Sequence, residues 1–181
     1  IGKTNAKFDR DKLLAFNTDA VAAADDERLL SGFKDYLSLN DTPIPADDEN
    51  MLRKLISINR SMRTFADVVA KSAVLFLPDD AFEYDPKAVE KVLTKGDGAG
   101  VNVLVELRDL LANAEWTAPS LEKLLQDYCE SHQLGVGKVA QPLRVAATGG
   151  TISPPIFDTL VILGKAKTLA RINRCLAMLG R

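Results

Sequence analysis

Apolar residues recur at three and four positions along most of this chain, the spacing of a helix with one buried face. Leu29, Leu30, Phe33, Tyr36 and Leu37 form one such run, and Val101, Leu104, Val105, Leu107, Leu110 and Leu111 another. Leu121, Leu124, Leu125, Tyr128 and Cys129 continue the pattern, as do Leu169, Ile172, Leu176 and Leu179. Start signals stand ahead of these runs. Asp85-Pro86 places a capping carboxylate before a proline at the first helical position. Thr64 to Asp67 has capping-box spacing, with Asp in place of Glu. Thr117 and Ser153 precede Pro119 and Pro154 in the same manner.

Breakers separate the runs: the turn-rich Asp41 to Asp48, the tight Lys95-Gly-Asp-Gly98, and Gly135-Val-Gly137. Only Ala73 to Leu77 has the composition of a short strand. With no partner run, it reads as a helix end. The pattern therefore predicts an all-α protein, a multi-helix bundle of two small helical subdomains. Pro78-Asp-Asp80 interrupts the periodicity and puts the boundary between residues 1–80 and 81–181.

Composition adds exclusions. Of 181 residues, 46% are apolar and 27% charged, enough to bury a core and too apolar for a disordered chain. No stretch approaches ~20 uncharged apolar residues, so no membrane span is expected. The polar IGKTNAKFDRDK start lacks the apolar segment of a signal peptide. Cys129 and Cys175 then read as free thiols in a reducing cytoplasm. The net charge of −2 hides an asymmetry. From Lys138 onward seven basic residues face one acid, a net +6, which leaves −8 on residues 1–137. A polyanion-facing surface would lie at the basic end; the competing reading is a solvated basic helix.

Catalytic signatures are missing. No glycine-rich phosphate loop follows a strand, and no Cys or His cluster has metal-ligand spacing. The single histidine, His132, sits near a helix end, where a solvated or capping role is expected. The acidic doublets at Asp25 to Glu27 and Asp47 to Glu49 suit the positive ends of helices. One segment stands apart, Gly137 to Ile172. Arg144 lies within the apolar Leu143-Arg-Val-Ala-Ala147, where burial is costly without an anionic or planar partner. A Thr-Gly-Gly turn follows, and then Ser153-Pro-Pro-Ile-Phe157, which combines a hydroxyl, an aromatic ring and the free N–H groups of a helix start. Those parts suit unpaired bases: Arg144 to hydrogen-bond and stack, Ile156 and Phe157 as an apolar platform. A structural salt bridge to Arg144 is the alternative that pattern alone leaves open.

GKVAQPLRVAATGG followed by SPPIFDTLVILGKAKTLARI resembles the C-terminal end of bacterial glutamyl-tRNA synthetases, whose pattern there is GKxxQPLRxAxTG, a Ser/Thr-Pro-x-Ile/Leu-Phe helix start and a Leu-Gly-Lys/Arg turn. Upstream, Glu115-Trp-Thr117, Arg63-Thr-Phe65 and Lys7-Phe-Asp-Arg-Asp-Lys-Leu13 with Asn17 are similar to further segments of that family, so the resemblance covers essentially the whole chain. It implies the all-α, C-terminal anticodon-binding part of a class I synthetase, a cytoplasmic and monomeric glutamate–tRNA ligase, without its catalytic part. Neither a HIGH-type nor a KMSKS-type signature occurs, so the chain by itself is expected to hold no cofactor; ATP and Mg belong to the catalytic domain, which is an expected partner within the same polypeptide. The implied RNA partner is tRNA(Glu), with tRNA(Gln) a second substrate in enzymes that do not discriminate.

By the same resemblance, anticodon readers fall on Arg144, Ser153, Pro154, Ile156 and Phe157. Ser61, flanked by Arg60 and Arg63, stands where the family has an arginine that senses the third anticodon base. Asn17-Thr-Asp-Ala20 replaces the family's Asn-Gly-x-Tyr. Phosphate contacts are expected from Lys165, Lys167, Arg171 and Arg174. The competing functional class is a helical protein-interaction module without an RNA role.

Overall fold

A computed structural model describes residues 9–181, and among them every regular element is helical. The chain divides into two compact units, one ending at Ala73 and the other comprising Val74–Arg181. In the first unit α1 (Arg10–Ala23) and α2 (Asp26–Leu39) are followed by α3 (Glu49–Ile58) and α4 (Phe65–Ser72). The acidic doublets act at helix starts, since Asp25 and Asp48 accept the first-turn N–H groups of Arg28 and Met51. Thr64 and Asp67 form the expected reciprocal capping box at α4. Phe33, Leu52, Leu55 and Val68 are buried at the centre, and Phe33 stacks on Phe65 with ring centroids 5.4 Å apart.

At the junction of the two units, Ala73–Leu75 is a 3₁₀ turn that follows α4, so the segment that could have been a strand is a helix end; the second unit continues from it. Next comes α5 (Pro86–Ala88), continued by a π-helical stretch over Val89–Thr94, and then α6 (Lys95–Asn113). The Lys95-Gly-Asp-Gly98 connection is a sharp kink with positive φ at Gly96, Asp97 and Gly98. Beyond it, Gly100 lies so close to the preceding turn that a Cβ there would meet the Val92 carbonyl oxygen at 2.1 Å. The unit closes with α7 (Ala118–Ser131), α8 (Val136–Thr148), α9 (Ile156–Leu163) and α10 (Lys165–Met178). Leu104, Leu107, Leu121, Leu143, Leu160 and Ile172 are fully buried in its core. Each such side chain contributes about 1.5–3 kcal/mol.

The division lies earlier than the boundary after residue 80 that Pro78-Asp-Asp80 implied. Segment 74–82 belongs to the second unit because three cations of α10 hold it. Arg171, fully buried, donates to the carbonyl oxygens of Val74 and Leu77 at 3.0 and 2.9 Å and pairs with Asp79 at 2.8 Å. Lys167 donates to the carbonyls of Leu75 and Leu77, and Arg174 to those of Asp79 and Phe82. Proline and two acids mark a break in helix. They do not show which side of the break a buried arginine will claim.

Candidate nucleic-acid interface

Helix α8 ends at Thr148, whose hydroxyl donates to the Arg144 carbonyl oxygen at 2.8 Å. Gly149 then turns the chain with φ +78, and a Cβ there would meet the Glu83 carbonyl oxygen at 2.3 Å. Glycine is required at this point on both counts. Its carbonyl oxygen accepts the Asp85 N–H at 2.8 Å. Helix α9 packs against α8, and the Trp116 indole N–H holds it from outside by donating to the Leu160 carbonyl oxygen at 3.0 Å. The end of α8 and the start of α9 are thus fixed from several directions.

Arg144 is half-buried in α8, and its Nε has no hydrogen-bond partner among the described residues. Burial lowers its pKa, with no nearby carboxylate to oppose that effect. The salt-bridge alternative for Arg144 therefore has no partner among the described residues. One turn earlier on α8, the Gln141 Oε1 is likewise buried without a partner. An unpaired donor and an unpaired acceptor three residues apart share a helix face. In a folded protein such groups are rare, and each costs about 1–3 kcal/mol unless something satisfies it.

Helix α9 starts later than Ser153 would set it. Its N-cap is Pro155, which provides no side-chain cap, so the first-turn N–H groups lack one. The Ser153 hydroxyl instead donates to the Pro154 carbonyl oxygen at 2.7 Å and accepts from Thr159 at 3.4 Å, tying the bend together. Pro154 is buried, and Ile156 points into the core at 6% exposure. Ile156 is therefore no surface platform. Phe157, partly exposed, packs against the core, and Ile152 is the exposed aliphatic side chain at 73%. Gln141 and Ile152 carry no local signal in the sequence, since nothing about a glutamine in a helix or an isoleucine in a turn shows that it will be left unpaired or uncovered.

The phosphate-contact expectation needs correction at three residues. Arg171 is completely enclosed: besides the bonds already given, it donates to the Ala147 carbonyl oxygen at 2.8 Å and stacks 4.3 Å above the Phe82 ring. No phosphate can reach it. Lys167 spends its ammonium on two carbonyls, and Arg174 lies on the Phe82 and Tyr84 rings as well as its two carbonyls. Helical spacing showed these cations on one stripe of α10 but could not show that the stripe faces inward. Lys165, with only a 3.5 Å contact to the Ala114 carbonyl oxygen, is the least committed of the four.

Arg60, Ser61 and Arg63 lie in the first unit, in the turn between α3 and α4. Arg60 pairs with Asp26 at 3.0 Å and donates to the Ala24 carbonyl oxygen at 2.8 Å, bracing the α1–α2 junction. The side chains of Ser61 and Arg63 are exposed. Asn17 donates to the Arg63 carbonyl oxygen, so this residue of the altered Asn-Thr-Asp-Ala segment orients the turn. Among the described residues no group of His, Cys, Asp and Glu could hold a metal ion, and no helix is long and apolar enough to cross a membrane.

Residues 28–176 match the family model described as an anticodon binding domain. The chain belongs to the anticodon-binding domain family. Over 175 residues it is 33% identical to glutamate–tRNA ligase 1 of Dinoroseobacter shibae, covering 96% of this chain and 36% of that protein. It is 35% identical over 182 residues to the glutamate–tRNA ligase of Anaeromyxobacter sp., covering 99% and 37%. This anticodon-binding domain thus spans little more than a third of the length of those relatives. Its fold is that of glutamate–tRNA ligase crystal structures from Elizabethkingia meningosepticum, at TM-score 0.79 and 24% identity, and Elizabethkingia anophelis, at 0.75 and 25%. These superpositions cover 99% and 98% of this chain, and 34% and 33% of the solved ones.

Proposed function

We propose that this anticodon-binding domain is the tRNA-recognition module of a glutamate–tRNA ligase, and that α8 and the start of α9 receive unpaired anticodon bases. The observation that carries the reading is Arg144, an arginine desolvated by the fold with no carboxylate to balance it and with Nε unpaired. A flipped-out base supplies what the protein withholds: acceptors for the guanidinium and a flat face for it to stack on. The exposed Ile152 and the partly exposed Phe157 offer apolar surface for stacking. The uncapped N–H groups of α9 suit a phosphate or a base edge. ATP, Mg and the aminoacylation chemistry belong in this reading to a separate catalytic domain of the same polypeptide, in the cytoplasm. The module acts as a monomer on tRNA(Glu), and on tRNA(Gln) where the ligase charges both. Ser61 and Arg63 are the exposed candidates for base contact in the first unit.

The test is an Arg144→Ala variant titrated with tRNA(Glu) and with a third-anticodon-base variant, alongside a urea melt. Affinity for tRNA(Glu) is expected to fall by about 1–3 kcal/mol, with a much smaller loss for the swapped tRNA and little change in stability. Arg144→Lys should not restore binding, because an ammonium cannot reproduce a planar fork. Equal losses for both tRNAs with a large drop in unfolding midpoint would make Arg144 a structural residue and sink the reading.

A further inference from the structure

Helices α6 and α7 are joined by the short connection 114–117, an arrangement that ordinarily packs two helices side by side. Here each packs instead on α8, and their mutual contact is slight. A groove of about 920 Å³ opens between them. Its far end is tied by one cluster: the Glu106 Oε2 accepts from the Tyr128 hydroxyl at 2.9 Å and meets the His132 Nε2 at 3.1 Å, while the imidazole stacks on the Tyr128 ring at 4.0 Å. Burial and the Glu106 hydrogen bond push the Tyr128 pKa up to about 12, so the phenol keeps its proton.

The groove has an apolar floor and an acidic rim. Leu110, Leu124 and Tyr128 line it, and Leu110 is 44% exposed. Four carboxylates line it, Glu106, Asp109, Glu115 and Asp127; Asp127 pairs with Lys123 and Asp109 with Arg108, each at 2.9 Å, which leaves Glu115 with only the Ser120 hydroxyl and the rim acidic on balance. Such a rim repels RNA phosphates. On α7 the lining residues recur from Ser120 to Ser131 at three- and four-residue spacing, a stripe about 16 Å long at 1.5 Å per residue. That length matches about three turns of an entering helix.

We propose that the α6–α7 groove is a docking site for a short basic amphipathic helix of a partner protein, its aliphatic face on Leu110 and Leu124 and its arginine or lysine residues on the acidic rim. The surface is separate from the Arg144 site and does not depend on the RNA reading. Charge complementarity selects the occupant: the rim carries more acids than bases, so an acidic or phosphate-bearing ligand is repelled, while a basic helix adds cations beside Glu115 and the exposed Asp127.

The probe is a 12-residue synthetic amphipathic peptide with leucines on one face and arginines flanking them, titrated into the full isotope-labelled chain by NMR. Saturable shifts confined to α6 and α7 are expected, with binding weakened by added salt and unaffected by tRNA. Leu110→Asp and, separately, Asp127→Lys should each weaken binding by about tenfold or more, as loss of a central contact does. Asp127 is exposed, so its substitution tests the site even if Leu110→Asp disturbs the fold. A peptide with glutamates in place of arginines should not bind. Failure to saturate, equal binding of the acidic peptide, displacement by tRNA, or a self-association that Leu110→Asp abolishes would each overturn the proposal, the last two by showing RNA or a second copy as the occupant.

Discussion

Arg144 on α8 and Arg171 on α10 are equally charged and have opposite roles. Arg171 is enclosed, with a carboxylate and three carbonyl oxygens around its guanidinium, whereas Arg144 is half-buried with an unpaired Nε. Arg171→Ala is therefore expected to lower stability by about 3–5 kcal/mol, because it strands Asp79 and several carbonyls. A chemical melt of the variant checks this, and a normal midpoint would contradict the structural role. Gly149→Ala is expected to cost at least about 1–3 kcal/mol, since the left-handed backbone and the close Glu83 carbonyl act together. The two thiols are inert by comparison: both Cys129 and Cys175 are buried, and desolvation pushes the Cys175 pKa up to about 11.

At the scale of elements, caps determine where helices begin and where backbone groups remain for a ligand. Helix α4 closes its first turn with the Thr64–Asp67 box, and α7 does so with Thr117, whereas α9 has no side-chain cap. Thr64→Ala is expected to cost about 1 kcal/mol, read from the unfolding midpoint. Burial tends to raise the Asp67 pKa, but the N–H groups of Arg63 and Thr64, which donate to its carboxylate, outweigh that and hold it below the ordinary value of 3.8. A lowered folded pKa means that the stabilisation is fully present above the unfolded value and disappears as the pH falls through the folded one. Acid melts below about pH 4 should therefore show Asp67→Asn losing less stability than the parent, with a flatter pH profile.

At the scale of the molecule, the two units differ in what a truncation would remove. A chain beginning at Val74 keeps every protein partner found for Arg171, while one beginning at residue 81 discards Val74, Leu77 and Asp79. The longer fragment should fold with a cooperative melt, and the shorter one should be destabilised by about 3–5 kcal/mol, measured by denaturation. If the two fragments melted alike, segment 74–80 would not belong to the second unit. For the whole chain, a purified sample is expected to show no glutamate-dependent ATP–pyrophosphate exchange, since neither nucleotide-binding signature is present. Exchange activity above background would overturn the assignment of catalysis to a separate domain.

Periodicity and caps in the sequence were enough to determine the helical class, most helix starts and the segment around Arg144, because these depend on neighbours within one or two turns. The family resemblance likewise rested on contiguous residues in GKVAQPLRVAATGG and the segment after it. Tertiary structure alone decided which way each charged stripe faces. Lys167, Arg171 and Arg174 read as a basic surface until α10 turned them onto carbonyls from residues 74–82, about ninety positions away in the chain. The same holds for the opening between α6 and α7, each of which packs on α8. A local pattern gives a side chain its helix face, but whether that face meets solvent, a carbonyl or a groove depends on contacts between residues far apart in the sequence.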